Sequence, residues 1–440
     1  MISLAQRVYI AKAAGDVVVA GFIQELRDLG NIKFLVLRDR TGTLQVTAKR
    51  GVVPEQVFDR IGALTAESVV AFRGIVVPSV IAHGGRELIP KEVAVLAEAE
   101  TGIPIEFKRP DQIKTSLDKR LDYRFLDLRS PRSAAVFKVQ SVLNDAIHRY
   151  FVEEGFLETH TAKLVAQATE SGTTVFPVGY FGRTAYLAQS PQFYKQMLMA
   201  AGFEKVYEVA PVFRAEKHHT PRHLCEYTSI DFEMSYIDDF HAVMDIVEGM
   251  VVHALRETVA SCREELRLLG VEPRLPTSRF PRITVREAYR MLQARGLSPA
   301  EGEDLDPEGE RAFSAEVESS YGCELAFLTE FPWRSASRPF YVMRKEDEPD
   351  WAYSFDLIWR GLEVTTGGQR EHRYGRLRRQ CAEKGYDPDQ FQFYLDFFRY
   401  GVPPHGGSGT GLERLTMQLL GLDNIRESTL LPRDPERLTP

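Results

Sequence analysis

Several stretches of this chain gather residue types that handle phosphate and carboxylate groups. The run Phe213-Arg214-Ala215-Glu216-Lys217-His218-His219-Thr220-Pro221-Arg222-His223 is rich in cations and donors. Arg214 and Arg222 suit phosphate oxygens, because a guanidinium grips two of them at once and a lysine does so poorly. The histidines and Glu216 could suggest a metal, but their spacing fits no common zinc pattern. A triphosphate clamp is the better reading, and no zinc is expected. In residues 226–234, alternation puts Ile230, Phe232 and Met234 on one face of a strand and Tyr227, Ser229, Asp231 and Glu233 on the other. An aromatic, a hydroxyl and two carboxylates cannot pack on a dry core without partners. That face is either solvent-exposed or the floor of a polar pocket. Asp356 and Glu363 would suit Mg²⁺ if they stood near the clamp, since that ion takes few carboxylates plus phosphate oxygens. The run His405-Gly406-Gly407-Ser408-Gly409-Thr410-Gly411-Leu412-Glu413-Arg414 could let a ligand approach backbone closely. It is neither a Walker loop nor a dinucleotide fingerprint, and alone it would be a structural turn.

These groups need a scaffold, and the hydrophobic pattern outlines one. Residues 16–23, 33–38, 43–47, 68–77 and 86–96 read as strands, punctuated by turns at 28–31 and 39–42, with a short helix over 54–61. Five strands with a helix after the third predict a small barrel of the oligonucleotide-binding (OB) type over residues 1–104. Prolines 104, 110 and 131 bracket a charged stretch, read as a hinge over 105–132. Val139, Val142, Leu143, Ala146, Ile147 and Tyr150 then recur at helical spacing. Within residues 133–440, strands are expected over 205–213 and 226–236, and one long strand over 354–366. Helices are expected over 238–257 and 411–420, the latter entered through the glycine-rich loop, with a solvated helix within 301–320. The fold class is α+β, an antiparallel sheet flanked by helices, not repeating βαβ units.

With 440 residues the chain exceeds one hydrophobic core and suits two or three domains. Apolar content of 44% and charge of 27% are those of an ordinary globular protein. No apolar stretch is long enough to span a bilayer, and the N-terminus lacks a signal-peptide core, so cytoplasm is the expected location and no membrane partner is expected. Cys225, Cys262, Cys323 and Cys381 are widely spaced and read as free, partly buried thiols. The net charge of −7 speaks weakly against nucleic acid, yet the first hundred residues are near neutral and could bind RNA locally.

The combination is more specific than its parts. Phe-Arg-Ala-Glu, a basic loop, Arg-His, an acidic strand and, much later, Gly-x-Gly-x-Gly-Leu-Glu-Arg resembles motifs 2 and 3 of class II aminoacyl-tRNA synthetases. Residues 154–161 look like motif 1, although Ala162 stands where that motif ends in proline. Residues 170–173, 188–196, 366–372 and 400–407 look like the aspartyl branch of archaeal and eukaryotic type, and the resemblance covers nearly the whole chain.

That resemblance implies an enzyme joining L-aspartate to tRNA(Asp), and to tRNA(Asn) in relaxed members, with ATP and Mg²⁺, acting as a homodimer. It implies that Gln192 and Lys195 contact the substrate side chain, with Arg370 closing a fork on its β-carboxylate. Glu170 and Asp231 would meet the α-ammonium, and Thr366 would belong to the same subsite. Arg214 and Arg414 would be the catalytic arginines, Arg214 on the α-phosphate and the substrate carboxylate and Arg414 sandwiching adenine with Tyr227. Glu216, Arg222, His223, Leu224, Gly411, Leu412 and Glu413 would hold ATP, and Glu363, Asp356 and Thr366 would carry Mg²⁺. In the barrel, Arg27, Phe34 and Gln45 match anticodon-contacting positions; a stacked base there is typically worth ~1–3 kcal/mol. Tenure of tRNA choice falls on Gln24 and His83, which are neither the aromatic–Lys pair expected of strict enzymes nor the His–Pro pair expected of relaxed ones. Rival readings are an asparaginyl-tRNA synthetase, an adenylate-forming asparagine synthetase and a catalytically dead RNA-binding relative. Lys195 speaks against the first, the barrel against the second, and the retained arginines 214, 222, 370 and 414 against the third.

Overall fold

The computed structural model describes residues 2–440 apart from 83, 107–114, 168–174, 218–219, 298–301 and 336. Two compact units meet in sequence between Ser116 and Leu117.

In the first unit, β1 (Gly15–Asp28), β2 (Ile32–Asp39), β3 (Gly42–Lys49), β4 (Val69–Pro78) and β5 (Arg86–Ala97) close a barrel in the order β1-β2-β3-β5-β4. Helix α1 (Glu55–Gly62) follows β3, as the pattern predicted. Alternation sends Val19, Ile23, Leu35, Leu37, Leu44 and Val46 inward. Closure removes the exposed edges that a five-stranded sheet would otherwise carry.

The second unit opens with α2 (Leu117–Asp122), α3 (Arg124–Asp127) and α4 (Pro131–Glu153). Short strands β6 (Leu157–Glu158), β7 (Leu164–Val165), β8 (Pro177–Tyr180) and β9 (Arg183–Leu187) lead to α5 (Gln192–Ala200). Strands β10 (Lys205–Phe213) and β11 (Glu226–Ser235) form a hairpin-like pair. Next come α6 (His241–Ser261), α7 (Arg263–Leu269), β12 (Arg282–Thr284), α8 (Val285–Ala294), α9 (Pro307–Tyr321) and β13 (Leu325–Thr329). The remainder holds β14 (Ser354–Trp359), β15 (Leu362–Gln369), α10 (Tyr374–Glu383), α11 (Gln392–Arg399), β16 (His405–Gly411) and α12 (Leu412–Leu420). Eight strands make one sheet in the order β12-β13-β14-β15-β16-β11-β10-β6, mostly antiparallel, with parallel pairs only at its two ends. One face is dry. Phe232 and Ile230 from β11 pack there with Val139, Leu143 and Ile147 of α4 and Val243, Val247 and Met250 of α6. The opposite face carries the polar side chains.

Three expectations are corrected. The long strand over 354–366 is a hairpin: Trp359 pairs with Leu362 around Arg360 and Gly361, whose φ values are 47° and 78°. Two consecutive positive φ values fit a primed two-residue turn, which the sequence Arg-Gly does not announce as Asn-Gly would. The glycine-rich segment 405–411 is no loop but β16, a central strand between β11 and β15. A side chain at Gly407 would collide with the Phe232 carbonyl oxygen and the Glu233 carboxylate, so glycine is required where this strand passes β11. The acidic helix α9 is not merely solvated, for it buries Phe313 and Val317 in a core with Ala326 and Leu328 of β13.

Candidate active site

Helix α5 crosses the polar face of the sheet. Gln192, Lys195 and Gln196 lie three and four residues apart, so they share its sheet-facing side, and all are buried. Beneath them, alternation along β11 presents Tyr227, Ser229, Asp231 and Glu233, so the pocket-floor reading of this strand is the one realised. Lys195 Nζ lies 2.9 Å from Asp231 Oδ1 and 3.5 Å from Glu233 Oε2, and donates to the Ser408 carbonyl at 3.0 Å. Arg370, just past β15, places Nε 2.9 Å from Glu233 Oε1. One of its terminal nitrogens donates to the Gly407 carbonyl at 3.0 Å and to Gln192 Oε1 at 3.3 Å. The expected neighbours Lys195 and Arg370 are thus joined through a shared carboxylate. Glu233 has no solvent exposure. Burial alone would raise its pKa, but Arg370 and Lys195 outweigh burial and hold it below the ordinary range. Sequence reading placed Glu233 on the right face and missed its role as counter-ion to Arg370.

The second group surrounds the far end of the same cavity. Arg214 follows β10, its backbone N–H bonded to the Cys225 carbonyl, and its guanidinium lies over the Tyr227 ring at 5.7 Å. Arg414, in the first turn of α12, donates to the Glu363 carbonyl at 2.7 Å and stands 3.5 Å from the Glu363 carboxylate. Arg222 pairs with Glu310 of α9 at 3.2 Å. His223 bonds Thr220 at 2.6 Å, and burial, with Arg414 next, keeps its pKa below the usual value. Glu216 and Leu224 also line the cavity. Glu413 accepts the Thr228 backbone N–H at 3.1 Å, and burial pushes its pKa up to about 7, so it braces α12 against β11. The Leu412 side chain packs in the apolar core, while Gly411 beside it lines the cavity.

Asp356 is held at two points by Arg338, at 2.6 and 3.1 Å, and Thr366 Oγ1 lies 3.4 Å from the same guanidinium. Burial pushes Asp356 up to about 6 despite Arg338, with Glu363 adding repulsion. Glu310 is pushed up to about 7, by burial first and by Glu363. Arg338, which stacks on Phe331 at 3.8 Å, carried no signal in the sequence. Among the described residues no group of His, Cys, Asp and Glu is arranged to hold a metal by itself. Glu363 lines the cavity beside Asp356 and is not held by Arg338, which fits Mg²⁺ shared with phosphate oxygens and water. The whole cavity measures about 770 Å³. Glu170 lies outside the described residues.

On the barrel, Arg27 pairs across strands with Phe34, and Phe34 with Thr47. Phe34 is half-buried and not among the core residues, while Gln45 bonds Glu87 and Thr47, each at 3.1 Å. These side chains share the outer face. Gln24 sits where the register of β1 slips against β2, and His83 lies outside the described residues.

Comparison with known proteins gives the same two-part division. A family model described as tRNA synthetases class II (D, K and N) matches residues 116–435, and one described as an OB-fold nucleic acid binding domain matches 17–96. The chain is 48% identical over 428 residues to the Aspartate–tRNA(Asp/Asn) ligase of Aeropyrum pernix, covering 97% of this chain and 96% of that one. It is 46% identical over 422 residues to the Aspartate–tRNA(Asp) ligase of Pyrococcus abyssi, covering 96% and 95%. Among solved structures, the asparaginyl-tRNA synthetase of Pyrococcus horikoshii complexed with asparaginyl-adenylate superposes with a TM-score of 0.91 at 33% identity, over 98% of this chain and 99% of that one. The aspartyl tRNA synthetase from Entamoeba histolytica gives 0.87 at 33% identity, over 98% and 91%.

Proposed function

This chain belongs to the class II tRNA synthetases (D, K and N), and from that membership we propose that it is an aspartate–tRNA ligase. It joins L-aspartate to ATP as aspartyl-adenylate, releasing pyrophosphate, and then transfers the aspartyl group to the 3′ end of tRNA(Asp). The observation that carries the choice of amino acid is the pair of buried cations, Lys195 and Arg370, on the cavity wall. Asp231 and Glu233 already pair with them from below, so the discrimination comes from the further charge-assisted contacts that a carboxylate accepts from two groups that only donate and that a neutral amide does not match. Relatives at 44–48% identity over nearly the whole chain carry the aspartate name.

The chemistry needs no general base, because the attacking carboxylate is already ionised. Rate comes from aligning that carboxylate with the α-phosphorus and from stabilising charge on the phosphorus oxygens. Arg214 is the residue for this, with Arg414 and Tyr227 sandwiching the adenine and so fixing the nucleotide, and Arg222 on the outer phosphates. Mg²⁺, when bound, would add positive charge beside the phosphate oxygens, and Glu363, Asp356 and Thr366 are the residues that would hold it. Asp231 takes the substrate ammonium, with Glu170.

Aspartate-dependent ATP–pyrophosphate exchange tests this reading. Exchange with asparagine and none with aspartate would sink it. Four relatives are named for tRNA(Asp/Asn) and four for tRNA(Asp) alone, and charging of both purified transcripts side by side decides whether tRNA(Asn) is a second acceptor. For the barrel we expect Phe34→Ala to weaken tRNA charging about tenfold, in line with one lost base stack, while adenylate formation stays unchanged. Equal loss of both steps would remove Phe34 from the anticodon surface. A homodimer is supported by β6, which ends the large sheet, and by exposed Leu157 within it and Val152 near the end of α4. A monomer mass in solution would exclude it.

A further inference from the structure

Behind the wall of the aspartate subsite stand His405, Gln196 and Tyr394, none of them exposed to solvent. Their hydrogen bonds have a fixed direction. His405 Nδ1 lies 2.9 Å from the Pro403 carbonyl, which can only accept, so Nδ1 carries the proton. The ring is fully enclosed, and burial lowers its pKa to about 4, so the imidazole is neutral and Nε2 is bare. Nε2 must therefore accept from the Gln196 amide nitrogen 2.9 Å away. That choice turns Gln196 Oε1 towards the Tyr394 hydroxyl and the Gln192 amide nitrogen, each at 2.9 Å, and both donate to it. Gln192 is left with Oε1 facing Arg370, which can only donate. The chain begins at an obligate acceptor and ends at an obligate donor, so one orientation of both amides satisfies every member.

We propose that His405, Gln196 and Tyr394 are positioning residues that lock the Gln192 amide, so that Gln192 offers the side-chain subsite an N–H and not its carbonyl oxygen, which favours a carboxylate over an amide. This rests on the aspartate reading above. Gln192 lines the cavity together with Lys195 and Arg370. Its second amide hydrogen has no protein acceptor among the described residues, and its oxygen is committed to Arg370. Turning the Gln192 amide over would set its oxygen against Gln196 Oε1 and its nitrogen against Arg370, losing two hydrogen bonds and adding two repulsions. While the chain is intact, an asparagine side chain therefore finds no acceptor for its amide hydrogens at this position. Without the chain, only the 3.3 Å bond from Arg370 still opposes rotation of Gln192, and a turned amide supplies one.

The test measures pyrophosphate exchange with aspartate and with asparagine for the wild type, Gln196→Met and Tyr394→Phe. Gln196→Met removes the acceptor for Gln192 and the donor to His405. It is expected to raise the ratio of kcat/KM for asparagine over aspartate about tenfold, with KM for ATP unchanged. Tyr394→Phe keeps the ring stacked on Phe193, at 4.2 Å between centroids, and removes only the hydroxyl. A smaller rise in the same ratio, about threefold, is expected. A uniform fall in kcat with both amino acids and an unmoved ratio in both variants overturns the proposal, because that is what loosened packing alone would give. A wild type that prefers asparagine overturns the aspartate reading itself. The two failures are therefore distinguishable.

Discussion

Arg370→Ala is expected to lower kcat/KM for aspartate roughly a thousandfold or more, the scale at which a buried, charge-assisted contact is lost. ATP affinity should change little, because Arg370 touches Glu233, Gln192 and Gly407 and none of the phosphate-clamp residues. The same substitution should also destabilise the protein. Glu233 is fully buried, and without Arg370 its remaining cation is Lys195 at 3.5 Å, which is itself engaged by Asp231. An uncompensated buried charge of this kind costs about 3–5 kcal/mol. Pairing Arg370→Ala with Glu233→Gln should recover much of the melting temperature and none of the aspartate activity. That split separates the guanidinium's part in the fold from its part in the reaction. Normal aspartate activation by Arg370→Ala would remove Arg370 from the subsite.

The second large effect is expected at Arg214. Arg214→Ala should reduce kcat for pyrophosphate exchange by about 10²–10³-fold, as loss of one donor aimed at developing charge does elsewhere. The fall should appear chiefly in kcat and not in KM for aspartate. A loss confined to KM for ATP would mean that Arg214 holds the ground-state nucleotide and not the transition state. Tyr227 loses its cation–π partner in this variant, so Arg214→Lys is the useful companion. A lysine retains charge but not the two-point grip, and should restore only part of the rate.

Much of this architecture is legible in the sequence, for reasons that differ by element. The barrel is legible because β1, β2 and β3 alternate cleanly between the closed interior and the outer face, and because turn residues separate them. The floor of the site is legible because β11 has a dry face and a polar one, and its carboxylates needed partners. The partners themselves were hidden. Glu233 and Arg370 stand 137 positions apart, and only the insertion of β16 between β11 and β15 brings them together. That strand was illegible because glycines are depleted from strands as a class. Here they are needed so that the carboxylates of β11 have room. The Arg338–Asp356 pair was hidden for a related reason. A loop arginine with no periodic context reveals nothing of the carboxylate it will cover.

The position of β16 also bears on how the chain assembles as it is made. Once synthesis has passed Gln369, β11 and β15 each present an open edge towards a gap that no earlier segment fills. Only when residues 405–411 emerge can the two halves of the sheet be zipped together, and Lys195 and Arg370 gain their backbone acceptors at Ser408 and Gly407 in the same event. The substrate subsite therefore matures late and all at once. Until then the two bare edges are the part of the nascent chain most exposed to intermolecular pairing, and the stretch that a chaperone has most reason to cover.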